Sequence, residues 1–263
     1  MIFQDNVIKE YLKNVYFVTG TPCGGKTTIS RELAKRHNLL VYDIDEEFEK
    51  HQKLSDPAFQ SAMNKSFKDA DEFFGRTVEE YKQWLITNTR EQLDFVLMDL
   101  ICLSQNRKVV CDCHLTMEQA AMFTRVAFLI KEPINLVDEY CNRPDHQDFS
   151  NFIHSTSDVE KAKATCSATL QSLNEKCYTD IKNSDYFWLE RTPESTVEDM
   201  VAQVEKHFGL GKKEFTEANL ELKKVDKNTE LAQQLIRFVE QFSWEDVKEH
   251  LLHVLRSWEY TDW

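Results

Sequence analysis

Val15-Tyr16-Phe17-Val18-Thr19-Gly20-Thr21-Pro22-Cys23-Gly24-Gly25-Lys26-Thr27-Thr28 is the stretch that decides the fold. Val15 to Thr19 is a β-branched and aromatic run stopped by a glycine, as in a buried strand that meets a tight turn. From Lys26 to His37 the spacing predicts a helix with Ile29, Leu33 and Ala34 on one face. Leu39 to Ile44 predicts a second strand. Strand, glycine-rich turn, helix and strand in succession is the grammar of a parallel sheet.

The alternation continues outward from this unit. Asp45 to about Leu103 is mostly helical, broken at Pro57 and Gly75, with Val78 to Leu103 forming one long helix or two consecutive ones. Lys108 to Cys113 and Val126 to Ile130 predict the third and fourth strands, with a short helix at Thr116 to Met122 between them. Pro133 opens a helix whose pattern stops around Asn142 to Pro144. The polar run Asp145 to Ser157, rich in capping residues, predicts a mobile loop. Asp158 to Asn183 is helical, Tyr186 to Leu189 is a fifth strand, and Glu194 to Phe208 is a closing helix ended by Gly209. The expectation is an α/β fold with a doubly wound, five-stranded parallel sheet.

Beyond Gly211 the composition shifts to GKKEFTEANLELKKVDKNTE, a charged stretch without strand character. An amphipathic helical tail follows, with Leu231, Leu235, Phe238, Val239 and Phe242 and then Val247, Leu251, Val254, Leu255 and Trp258 at helical spacing. Residues 1–211 therefore read as one domain and 212–263 as a linker and α-helical C-terminal extension. Its apolar faces suit docking on the domain or on a second copy, giving a homodimer. The run FSWEDVKEHLLHVLRSWEYTDW also resembles the opening helices of a GNAT-type acetyltransferase, without an acetyl-CoA loop.

With 263 residues the chain has room for one α/β domain and an appendage. A formal net charge of -13 argues against nucleic acid polymers and anionic membranes as partners. No apolar run reaches membrane-spanning length or forms a signal-peptide core, so the expected location is cytoplasmic. Seven cysteines, an odd number, suit reduced thiols better than a disulfide framework. Cys111, Cys113 and His114 lack a second pair at zinc-finger spacing and read as strand alternation rather than a metal site.

Gly20 to Thr27 matches G-x-x-x-x-G-K-[ST] in full. Three of the six glycines in the chain stand in this loop. Glycine is needed because backbone N–H groups must turn inward around an anion at distances a Cβ would obstruct. Gly20, Thr21, Pro22, Cys23, Gly24, Gly25, Lys26, Thr27 and Thr28 are thus candidates for cradling a nucleotide's phosphates. Lys26 would reach the outer phosphates, Thr27 would ligate Mg²⁺, and the helix would point its positive end at them.

Tyr42-Asp43-Ile44-Asp45 places two carboxylates at the carboxyl end of the second strand, and alternation puts both on one side. One can hold a Mg²⁺-bound water while the other accepts a hydrogen bond from, or takes the proton of, a substrate hydroxyl. Asp45 could instead cap the helix DEEFEK.

The run GTPCGGKTTISRELAKRHNLLVYDIDEEFEK resembles the start of the small-molecule P-loop kinases, the shikimate, gluconate and adenylate kinase-like proteins of the P-loop NTPase superfamily. The resemblance covers roughly residues 14 to 209, with specific motifs in the first forty or so. It implies a sheet in the order 2-3-1-4-5, an acceptor-binding helical insert after the second strand and an arginine-bearing lid after the fourth. The implied activity is ATP-dependent transfer of the γ-phosphoryl group to a small-molecule acceptor. Asp43 and Asp45 match the Asp-x-Asp of these kinases. Arg76 stands where they hold an acceptor-binding arginine, although a solvated arginine fits as well. Asp112 resembles a Walker B aspartate, sharing Mg²⁺ with Thr27 and Asp43 and bordering the acceptor, or is a simple turn residue. Arg143 resembles the lid arginine that closes over the transferred group, with His146, Lys161 and Lys163 as possible helpers. Arg191 falls where related kinases cradle adenine. The implied catalytic set is Lys26, Asp45 and Arg143.

Asp112-Cys113-His114 replaces the glycine triplet of shikimate kinases, which disfavours shikimate. A nucleoside, nucleotide, sugar or antibiotic-like alcohol remains open as the acceptor. The competing expectations are a regulatory P-loop ATPase and a nucleotide-binding module without an acceptor. A GTPase would carry an Asn-Lys-x-Asp motif, which is absent from the sequence. An AAA-type motor would end a hydrophobic strand in Asp-Glu, whereas Cys113 follows Asp112.

Overall fold

Five strands form one all-parallel sheet: β1 (Val15–Gly20), β2 (Leu40–Asp43), β3 (Val109–Asp112), β4 (Val126–Ile130) and β5 (Trp188–Glu190). Their order is β2-β3-β1-β4-β5, the expected doubly wound arrangement of P-loop kinases. The molecule is described by a computed structural model, which covers residues 5–134, 139–140 and 146–210. Arg143, the continuation of the Pro133 helix into 135–138 and 141–142, and the extension at 212–263 lie outside the described residues. The first unit of the chain ends at Gly209.

Every residue of β1, β3 and β4 is buried. This is why these strands read as unbroken apolar runs: a parallel sheet is covered on both faces. The helices are α1 (Asp5–Tyr11), α2 (Lys26–His37), α3 (Phe48–Leu54), α4 (Ala70–Phe74), α5 (Val78–Leu103), α6 (Met117–Ala120), α7 (Gln147–His154), α8 (Val159–Lys182) and α9 (Val197–Phe208). On one face of the sheet Phe17, Phe128 and Ile130 join Val96 and Leu100 of α5 and Ile181 of α8 in the main core.

The long insert after β2 resolves into α3, α4 and a single 26-residue α5. A capping box starts α5: Thr77 accepts from the Glu80 N–H while the Glu80 carboxylate accepts from the Thr77 N–H. Asp145 to Ser157 contains a helix, not the loop that its polarity suggests. In α7, Phe149, Phe152 and Ile153 recur at helical spacing, and the fully buried Ile153 packs with Ala70, Phe74, Tyr81, Ala162 and Cys166 in a second core. Tertiary burial of that short apolar stripe overrides the composition. β2 ends at Asp43 rather than Ile44, because the Asp43 carboxylate accepts the Asp45 N–H at 3.0 Å and turns the chain. Among the described residues no helix is long and apolar enough to cross a membrane.

Candidate functional site

The turn after β1 is held against the carboxyl end of β4. Gly20 has φ 128°, and a Cβ there would lie 2.0 Å from the Leu129 carbonyl oxygen; at Gly24 the same oxygen would be 2.3 Å away. Neither position admits a side chain. The buried Thr21 fastens the loop between them: its N–H donates to the Leu129 carbonyl at 3.1 Å, and its hydroxyl oxygen accepts the Lys131 N–H at 2.7 Å. Cys23 takes a left-handed φ of 59°, and Gly25 at φ 95° is the N-cap of α2. From the end of β5, the Arg191 guanidinium donates to the Cys23 carbonyl at 2.9 Å, so this cation braces the loop directly.

Lys26 opens α2 and is buried, with its ammonium donating to the Thr21 carbonyl across the loop at 3.0 Å. Beside it, the parallel register sets Asp43 of β2 level with Asp112 of β3 at the carboxyl ends of adjacent strands. Asp112 is only 5% exposed, and burial raises its carboxyl to about 6 against the opposing pull of the Lys26 charge and a hydrogen bond from the Thr27 hydroxyl. Burial also raises Asp43, partly offset by the Asp45 N–H. Thr27, Asp112 and Asp43 thus bring a hydroxyl and two carboxylates together, the all-oxygen donor chemistry a Mg²⁺ ion requires.

Asp45 is not carried by strand alternation, since β2 has ended, and it does not cap α3, whose N-cap is Glu47. Its side chain is 76% exposed, with Oδ2 4.0 Å from Nε2 of His114. His114 follows β3 by two residues and is the site residue that sequence reasoning missed. Its signal was the departure from the glycine triplet, which identified what was absent and not what the imidazole would face. Loss of surrounding water and the Lys26 charge push His114 below its ordinary pKa, while Asp45 acts in the opposite sense.

His114 also lines a narrow crevice of about 10 Å³, roughly the space of one water molecule, between α5 and the ends of β1 to β3. Phe17, Ile44, Leu93, Val96, Cys113 and Leu115 supply most of its lining, and Thr89 and Gln92 of α5 complete it with His114. Gln92 is held in place by donating its amide to the Ile44 carbonyl at 2.6 Å.

Two further clusters lie away from this centre. Glu47, His51 and Asp99 are close enough to share an ion, but Lys50 already donates to Asp99 at 2.6 Å and Glu47 at 3.0 Å, while His51 and Tyr42 also bond Asp99. Burial would raise the Asp99 carboxyl, yet these hydrogen bonds hold it below its ordinary value. The cluster ties the end of β2 to α5. Arg76 stands before α5 with its guanidinium carbon 4.3–4.8 Å from the ring centres of Phe67, Phe73, Tyr81 and Trp84. Its Nε donates to the Phe73 carbonyl at 2.7 Å, and Nη1 and Nη2 are buried without a hydrogen-bond partner. The structure therefore brings Lys26, Thr27, Asp43, Asp112, Asp45 and Arg191 around the loop and leaves Arg76 in an aromatic box. Arg143 lies outside the described residues.

No curated protein matches the chain. Among solved structures it is similar to a shikimate kinase from Bacteroides thetaiotaomicron, with 14% identity, coverage of 73% of this chain and 96% of that one, and a TM-score of 0.40. TT1252 from Thermus thermophilus is 13% identical over 74% of this chain and 96% of its own, with a TM-score of 0.46. Dephospho-CoA kinase from Campylobacter jejuni is 15% identical over 75% and 96%, with a TM-score of 0.36. A family model described as AAA domain matches residues 17–154, which run from β1 through α7 and include the loop, the acid pair and the crevice. Asp112 within that span is still followed by cysteine, so the match concerns the domain and not the acid pair of a motor. On that match, which covers more than half of its residues, the chain belongs to the AAA domain family.

Proposed function

We propose that this chain is a phosphotransferase that moves the γ-phosphoryl group of ATP to a small-molecule acceptor. The observation that carries the reading is the Lys26, Thr27, Asp43 and Asp112 cluster with the exposed Asp45 carboxylate beside it. Asp45 does not cap α3, which leaves it at the solvent side, where an acceptor hydroxyl would meet it.

Backbone N–H groups of Gly20 to Thr28 would hold the nucleotide's phosphates, and Lys26 would leave the Thr21 carbonyl to reach the outer ones. Thr27, Asp43 and Asp112 would hold Mg²⁺, which supplies charge neutralisation for the transferred group. Arg191 would keep the loop in shape through the Cys23 carbonyl, and Arg143 would close over the reacting phosphate. Asp45, at the solvent side, would orient the acceptor hydroxyl or take its proton. Arg76 has no direct part in this scheme. It stabilises the insert that forms one wall of the crevice. Residues 212–263 would pair two copies of the chain, and the reaction is expected to take place in the cytoplasm.

ATP consumption with Mg²⁺ across nucleosides, nucleotides, sugars and aminoglycosides tests the reading. One compound class should stimulate it. Asp45→Asn should then lower turnover at least tenfold while leaving ATP affinity within about twofold, a loss of about 1.4 kcal/mol in transition-state stabilisation. Equal loss of turnover and affinity would remove Asp45 from the acceptor role, and acceptor-independent hydrolysis would favour a regulatory ATPase.

A further inference from the structure

We infer that His51, Asp99 and Gln92 are positioning residues for the transfer reaction, joined by hydrogen bonds into a ring that grips β2 on both sides of Asp43 and so aims Asp43 and Asp45. This rests on the phosphotransferase reading and adds the residues through which its acids are held.

β2 stands at the edge of the sheet, so its ladder with β3 holds it on one side only. The last bond of that ladder runs from the Ile44 N–H to the Asp112 carbonyl at 3.2 Å. A misplacement of about 1 Å in a reacting group can cost on the order of a hundredfold in rate. Carboxylates at the end of an edge strand therefore need a second hold.

Alternation turns Tyr42 and Ile44 into the main core beside Val96 and Leu100 of α5, with Asp43 on the other side of the strand. There the Tyr42 hydroxyl donates to Oδ2 of Asp99 at 3.1 Å, and the Gln92 amide donates to the Ile44 carbonyl at 2.6 Å. Asp99 and Gln92 stand two turns apart on α5, roughly 10 Å along its axis at 1.5 Å per residue. His51 of α3 spans that gap. Its Nε2 lies 3.1 Å from Oδ2 of Asp99, and its Nδ1 lies 3.3 Å from the Gln92 amide nitrogen.

The ring has one consistent placement of its protons. A carbonyl only accepts, so the Gln92 group that faces Ile44 is its NH₂, and the same nitrogen faces Nδ1 of His51. Nδ1 therefore accepts, and the imidazole proton sits on Nε2 and is donated to Asp99. Asp99 also takes the Lys50 ammonium at 2.6 Å. Phe95 stacks on the imidazole with ring centres 5.6 Å apart, and His51, Tyr42 and Gln92 are all buried, so water does not compete for these bonds.

His51→Phe keeps a ring against Phe95 and removes both nitrogens. Asp99 retains Tyr42 and Lys50, and Gln92 retains Ile44, so neither loses its last partner. Tyr42→Phe cuts the other link to Asp99. Ser104→Ala is the control: it removes a hydroxyl that donates to the Tyr11 carbonyl from the far end of α5. Two measurements are made on the full chain and its variants. They are hydrogen–deuterium exchange without nucleotide, and ADP release with Mg²⁺, ATP and a panel of nucleosides, nucleotides, sugars and aminoglycosides. In His51→Phe and Tyr42→Phe, exchange across Ile44 to Glu47 should rise about tenfold while Val15 to Gly20 stays within about twofold. Acceptor-stimulated kcat should fall about tenfold in both, with KM for ATP within about threefold. Ser104→Ala should change none of these. Unchanged exchange, unchanged kcat, or equal losses in Ser104→Ala would each overturn the inference and leave the phosphotransferase reading in place. A wild-type protein that no compound of the panel stimulates would remove that reading, and the positioning role with it.

Discussion

Asp112 is held at the end of β3 in conditions that suit a ligand for a cation more than they suit the empty fold. A folded-state carboxyl of about 6 lies above its ordinary value near 3.8, so the native state binds the extra proton. Stability from this group is full below about pH 4 and is lost as pH rises through about 6. Asp112→Asn should therefore stabilise the nucleotide-free protein at pH 7, by on the order of 2 kcal/mol, and the gain should shrink toward pH 4. Thermal melts of both proteins across that range check this, and a gain independent of pH would show that the carboxyl is ionised without penalty. The same substitution should abolish Mg²⁺-dependent turnover. Lys26, Thr27 and the glycines were legible from sequence because a phosphate cradle fixes residue types at fixed spacing. Asp45 and His114 were less so. Their relation depends on a turn made by the Asp43 side chain, and no periodicity encodes a carboxylate meeting an imidazole across two loops.

α7 shows how an element can be hidden by its own polarity. QDFSNFIH presents few apolar residues, but Ile153 is fully buried and Phe152 meets Phe73 and Phe74 at 5.3 and 5.5 Å between ring centres. Ile153→Ala should cost about 3 kcal/mol by opening a cavity in the second core, measured by denaturant unfolding. A cost below about 1 kcal/mol would mean that this core collapses freely around the change. β1, β4, α2 and α5 were readable, the first two as central strands buried on both faces and the helices by their helical patterning, although α5 could equally have been two consecutive helices. The environment of Arg76 was not readable, since Phe67, Phe73, Tyr81 and Trp84 come together only when α4 and α5 fold onto each other. A cation among rings gains about 0.5–2 kcal/mol from their faces, which helps offset two unpartnered nitrogens.

The sheet order places the loop, the acid pair and the crevice at the same end of the molecule, where carboxyl ends of parallel strands meet helix N-termini. That convergence was foreseeable from the alternation of strands and helices; the approach of His114 to Asp45 was not, because it depends on the loops that follow β2 and β3. If residues 212–263 join two copies, deleting them should convert a dimer to a monomer on sedimentation while ATP binding persists, and an unchanged mass would exclude pairing through them. The central claim is transfer to an acceptor, and the most direct measurement follows the label from γ-³²P-ATP with Mg²⁺ and candidate acceptors. Label should appear in an organic product only when an acceptor is present, and not with Lys26→Ala. Label released solely as inorganic phosphate, at the same rate with or without acceptors, would contradict the account.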